Sequence, residues 1–173
     1  IYNNNFIDEE EAPDDWPDLL NEKWKGDLIL RDPTESGTAG NTTTAIWAVY
    51  GEERGKDFLY RMDEQVDGDY YGSSTKTVLD VARGAAKLSF WNEYYSMSTI
   101  YEKGYDSLSI AYPDTWMVAS LVGAGIVKNA PHPATAELYL EYATSQEGMV
   151  WAAENLYRRP TLQGIPGDMM PEW

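Results

Sequence analysis

The chain has no cysteine and a single histidine, His132. Without cysteine there are no disulfides, no thiolate metal sites and no cysteine nucleophile. One histidine excludes a histidine-rich metal centre and argues against a histidine-based triad. Basic residues are scarce: 13 Lys and Arg face 29 Asp and Glu over 173 residues, a formal net charge of −16. A surface of that sign repels phosphodiester backbones and anionic lipids, which argues against nucleic acid and membrane surfaces as partners. No apolar run approaches the ~20 residues needed to span a bilayer. The chain opens Ile1-Tyr2-Asn3-Asn4-Asn5, with no Met, basic stretch or apolar signal core, the expectation for a mature or excised piece of something larger.

Aromatic side chains are plentiful, with 13 Tyr, 7 Trp and 3 Phe, and 43% of residues are hydrophobic. Disordered chains lack such groups. A chain of this size buries roughly two-thirds of its unfolded surface, enough for one domain with a real core.

Short apolar runs alternate with helical stretches. Strands are expected at 27–30, 87–91 and 107–112, with a bent strand at 117–127 that accommodates Gly123 and Gly125. Asp14 or Asp15 is placed to cap a short helix through Leu20. Helices are expected from Ala45 to Gly51, from 54 to 65, after Ser74 or Thr75, from Ala134 to 143, and after Ser145. Residues 68–74 form a loop, and the acidic run Asp8 to Glu11 a solvated one. The alternation predicts an α/β fold with a largely parallel sheet, and no internal repeat divides it.

Two stretches carry candidate chemistry. Ser36-Gly37-Thr38 lies between a strand and a helix, where backbone amides and the positive end of the helix dipole point outward. Small hydroxyl residues and glycine there suit a phosphate or carboxylate group, although an ordinary helix cap has the same composition. Ser73-Ser74 offers further donors to the same anion, or caps its own helix. The second stretch, Asn92-Glu93-Tyr94-Tyr95, follows a strand, where open α/β sheets bind their ligands. Two adjacent phenolates are hard oxygen ligands suited to iron(III), though only a strongly charged metal would ionise them near neutral pH. Aromatic packing is the plainer alternative, since Tyr70-Tyr71 forms a second such pair.

Read in order, the motifs resemble a family. Tyr2-Asn3 is followed by Trp24-Lys25-Gly26, Asp32-Pro33-Thr34-Glu35-Ser36-Gly37-Thr38, Ala82-Arg83-Gly84 and Asn92-Glu93-Tyr94-Tyr95. Then come Ala111-Tyr112-Pro113, Val127-Lys128-Asn129-Ala130-Pro131-His132-Pro133 and Ser145-Gln146-Glu147-Gly148. The set resembles the extracellular solute-binding proteins of bacterial ABC importers, the type 2 periplasmic binding proteins. Its nearest branches are those that bind ferric iron and those that bind phosphorylated or phosphonate solutes.

The resemblance implies a three-layer α/β lobe with a mixed, mostly parallel sheet flanked by helices. Residues 1–173 would form one such lobe, the second of two, with crossover strands near 1–7 and 107–127 and most of the first lobe absent. It implies a periplasmic or extracellular binder, not an enzyme, with no required cofactor. Its cargo would be iron(III) with a synergistic phosphate or carbonate-type anion, handed to a membrane permease. Tyr94 and Tyr95 then match the metal ligands, and Asn92, Ser36, Gly37 and Thr38 match positions around the anion, with Ser73 and Ser74 beside them. The Ser-Gly-Thr and Gly-Ser-Ser loops look as much like the phosphorylated-solute branch, which lacks the tyrosine pair. Other classes remain: an effector-sensing module of a regulator, a hydrolase using Glu93 and Asp114, and a tryptophan-rich sugar binder.

Overall fold

The computed structural model describes residues 1–68 and 70–171. The loop expected over 68–74 includes Asp69, which lies outside the described residues, as do Glu172 and Trp173. The described chain divides into two compact units, Ile1–Ser120 and Leu121–Trp173. Among the described residues no helix is long and apolar enough to cross a membrane.

The first unit is built on five extended pieces. Strand β1 (Tyr2–Asn3) pairs antiparallel with β2 (Leu108–Ser109), Tyr2 opposite Ser109. On its other side β1 runs antiparallel to the piece around Leu88. Leu28 then bridges Leu88 in parallel, and Arg31 bridges Tyr71 in parallel. The order across the layer is therefore 71, 28–31, 88, β1, β2, with only β1 reversed. This is the mixed, mostly parallel sheet expected, in pieces shorter than expected. Main-chain hydrogen bonds on both sides hold the central piece: Ile29 N donates to Leu88 O (3.1 Å) and Lys87 N to Asp27 O (3.0 Å), while Tyr71 N donates to Leu30 O (2.9 Å) and Asp32 N to Tyr71 O (3.0 Å).

Both faces of the layer are covered. Leu28, Leu30, Leu88 and Tyr2 face one core, with Trp16, Leu19, Trp24, Ile46, Phe58 and Met62. Ile29 and Leu108 face the other, with Val78, Val81, Ala82 and Ala86. The alternation Leu28, Ile29, Leu30 is the period-two pattern of a strand buried on both sides. Each such side chain contributes about 1.5–3 kcal/mol on burial.

The first core is closed by helices α1 (Gly37–Tyr50) and α2 (Glu52–Asp63) and by a 3-10 turn over Trp16–Leu20. Of the two expected caps, Asp14 and Asp15, it is Asp15 that caps the turn, reciprocally with Asp18. The predicted break at Gly51 also holds, because the backbone there takes φ 80°, a conformation that favours glycine. The second core is closed by α3 (Ser74–Ala82) and α4 (Glu93–Tyr101).

Two helices depart from the expectation for one reason. α1 starts at Gly37, eight residues before the apolar pattern begins, and α4 carries no apolar period at all. Their hydroxyl side chains turn back onto the helix. Thr42, Thr43 and Thr44 donate to the carbonyls of Thr38, Ala39 and Gly40, and Ser96 and Thr99 to those of Asn92 and Tyr95. This satisfies the hydroxyls internally, so Ser96 and Thr99 are fully buried and Thr42 nearly so. Periodicity of apolar residues cannot see such a helix.

The bent strand expected at 117–127 is a correction. The segment has no regular structure, and Leu121 and Val122 are about four-fifths exposed. Apolar composition makes a strand only where a neighbouring edge accepts its hydrogen bonds, and among the described residues none does. Trp16 and Trp24 are buried, whereas Trp47 is 44% exposed on α1 and packs against Gly55 of α2.

In the second unit, α5 (Pro133–Ala143) and α6 (Gln146–Leu156) form where predicted, the latter capped by Ser145, whose Oγ accepts from Gly148 N at 3.1 Å. His132 is exposed at the start of α5.

Candidate functional site

Strand direction decides where the site residues meet. The pieces at 28–31, 71 and 88 are parallel, and each is followed by a helix: α1, α3 and α4 in turn. β2 points the same way, so the segment from Ala111 also leaves from this edge. Three helix N-termini are thus gathered at the carboxyl edge of one sheet, each with unpaired amides and a positive dipole end. Ser36, Gly37 and Thr38 stand at the first, Ser73 and Ser74 at the second, and Asn92, Tyr94 and Tyr95 at the third. All eight candidate residues therefore share one edge.

The caps are local. Ser36 Oγ accepts from Ala39 N and Ser73 Oγ from Lys76 N, both at 3.3 Å. Ser73, not Ser74 or Thr75, occupies the capping position. Asn92 holds the same position on α4, but its side chain makes no capping bond. Asp32 shapes the approach to α1. Its carboxylate accepts from the hydroxyl (2.6 Å) and the amide (2.8 Å) of Thr34, and these bonds, the hydroxyl first, hold its pKa below the usual carboxylate value.

Tyr94 and Tyr95 lie in the first turn of α4. Their rings are 4.9 Å apart at 52°, and Tyr95 packs against the second core. Both are half-buried. Consecutive helical residues point in different directions, so the pair is close but not stacked. The Tyr112 hydroxyl donates to the Glu93 carboxylate at 2.6 Å, tying the segment after β2 to the start of α4. The other tyrosine pair is committed elsewhere. Tyr70 donates to Asp63 at 2.5 Å, and burial together with that carboxylate pushes its pKa well up, keeping it protonated. Tyr71 donates to Asp80 at 3.0 Å. Among the described residues, no group of three or more His, Cys, Asp or Glu gathers to hold a metal ion.

One residue at this edge escapes the motif reading. Arg31 is 9% exposed. Its Nη1 donates to Tyr71 O at 2.7 Å and lies 3.7 Å from the exposed Glu35 carboxylate, while its Nε has no partner. Nothing local marks it, since an arginine at a strand end is ordinarily a solvated one. A separate cleft of about 440 Å³ in the second unit, lined by Tyr142, Trp151, Glu147 and Glu154 among others, contains none of the candidate residues.

Comparison with known proteins places this geometry in context. The family model described as bacterial extracellular solute-binding protein matches residues 1–171. Iron uptake protein A2 of Synechocystis is 24% identical over 161 residues, covering 87% of this chain and 46% of that protein. The sulfate-binding protein of Salmonella typhimurium is 30% identical over 156 residues, covering 83% and 46%. The crystal structure of iron-bound HitA from Pseudomonas aeruginosa superposes with a TM-score of 0.79 at 25% identity, over 94% of this chain and 53% of that one. The chain spans about half the length of the curated relatives it matches.

Proposed function

The chain belongs to the bacterial extracellular solute-binding proteins, and from that membership we propose that it is the ligand-binding second lobe of an ABC-importer component that captures iron(III) with a synergistic anion. The observation that carries this reading is the position of Tyr94 and Tyr95, side by side at a helix start on the same sheet edge as two serine-capped helix starts. The phenolates supply hard anionic donors to the metal. The helix ends at Ser36–Thr38 and Ser73–Ser74 receive the anion, and Asn92, with no capping bond to make, adds a donor. Iron uptake protein A2 and iron-bound HitA among the similar proteins support the choice of cargo.

The mechanism is capture without turnover. The loaded lobe closes against the first lobe by hinge motion and presents the cargo to a membrane permease outside the cytoplasm. The remaining metal ligands come from that first lobe. Adding iron(III) citrate to the full-length protein produces a tyrosinate-to-iron charge-transfer band. Absence of any band in the full-length wild type would overturn the iron reading.

A second reading has its own support. A solute carrying a tetrahedral oxyanion, such as a phosphate ester, would need the helix ends but not the tyrosines. The similarity to the sulfate-binding protein and the buried Arg31 at this edge favour it. Tight binding of a phosphate ester without metal, unaffected by loss of both tyrosine hydroxyls, would select it.

A further inference from the structure

Resting on the reading of this edge as an anion site, we propose that Arg31 is the buried counter-charge of that site and that Glu35 is a placeholder which the bound anion displaces. A guanidinium that is nine-tenths buried costs several kcal/mol in desolvation unless an anion and a full set of acceptors surround it. Arg31 lacks both. It has one carbonyl, from Tyr71, an unpartnered Nε, and a carboxylate at 3.7 Å whose own side chain is 63% exposed. Such a pair is long and solvent-screened, and contributes little.

The location is specific. Tyr71 precedes Gly72-Ser73 at the start of α3, and Glu35 precedes Ser36 at the start of α1. The Arg31 guanidinium therefore lies between the two helix starts. The Glu35 carboxylate reaches across the same gap: a Cβ added to Gly72 would lie 3.5 Å from Glu35 Oε2. A carboxylate already occupies the space between a buried arginine and two helix N-termini. This is the environment in which a ligand oxyanion is best held, because a planar guanidinium presents paired donors to it. Net charge of −16 opposes anions at long range. A buried cation answers that locally, and Glu35 keeps it partly neutralised while the site is empty.

The test measures binding of inorganic phosphate and of a sugar phosphate to the full-length protein by calorimetry, with the thermal midpoint of the unliganded protein alongside. The larger wild-type response identifies which source of the phosphate group the site takes. Arg31→Met weakens that binding about tenfold or more, while the unliganded protein melts at the same temperature or higher, because an uncompensated buried charge has been removed. Arg31→Lys restores part of the affinity. Glu35→Gln, at an exposed position that does not endanger folding, tightens binding by about threefold or more. Wild-type affinity in Arg31→Met, or unchanged or weaker binding in Glu35→Gln, overturns the inference while leaving the site itself standing. A wild-type protein indifferent to both ligands overturns the anion reading of the edge, and the inference with it.

Discussion

The Asn3 side chain donates to Val81 O at 2.7 Å, across 78 positions of sequence. A second bond reaches Ala82 O at 3.2 Å, and the Asn3 oxygen accepts from Asn5 N at 3.0 Å. Asn3 is 1% exposed. It therefore adds a donor to carbonyls at the C-terminal end of α3, beside Gly84 N on Val81 O (3.0 Å) and the Ser107 hydroxyl on Ala82 O (2.6 Å), and fixes that helix to the reversed strand of the sheet.

Asn3→Ala removes two buried hydrogen bonds, while Val81 O keeps Gly84 N and Ala82 O keeps the Ser107 hydroxyl. The expected loss is about 1–3 kcal/mol of folding stability, the net worth of two buried hydrogen bonds. A denaturant titration shows it as a lower midpoint at unchanged slope. A midpoint within error of wild type would mean that water replaces the amide.

Ser36 serves as both a cap and a candidate ligand donor, and two substitutions separate the roles. Ser36→Ala removes the cap and costs about 1 kcal/mol, whereas Ser36→Gly costs only a few tenths. Anion affinity falls to a similar extent in both, because each lacks the hydroxyl. If affinity follows stability instead, falling in the alanine variant alone, the serine is only a cap.

Tyr94→Phe and Tyr95→Phe each weaken the iron charge-transfer band, and the double variant abolishes it. Tyr70→Phe leaves it intact, since that hydroxyl is held protonated by burial and by Asp63. Visible absorbance during iron(III) citrate titration reads all four. A band that survives the double substitution would remove both tyrosines from the metal's coordination.

The caps were legible because capping is local. Asp15, Ser36 and Ser145 each bond an amide within three residues, so short sequence patterns carry them. The candidate anion residues at Ser36–Thr38 and Ser73-Ser74 are legible in the same way, although α1 begins eight residues before its apolar pattern and the α3 cap falls on Ser73, one residue before the expected pair. α4 was not legible, because its buried Ser96 and Thr99 satisfy themselves against the preceding turn and leave no apolar stripe. The expected strand at 117–127 failed for the opposite reason. Its apolar residues are plain to read, but pairing depends on a partner edge that lies elsewhere in the chain.

From the amino acids alone follow the alternation of extended and helical segments, the acidic charge, the local caps and the tyrosine pair. These depend on contacts within a few residues or on composition alone. Tertiary structure decided which helix starts share an edge, because strand order and direction come from pairings between residues such as Leu28 and Leu88, sixty positions apart. It also decided that Arg31 is buried between Tyr71 and Glu35. An arginine's surroundings are set by what folds over it, and nothing in its near neighbours in sequence records that.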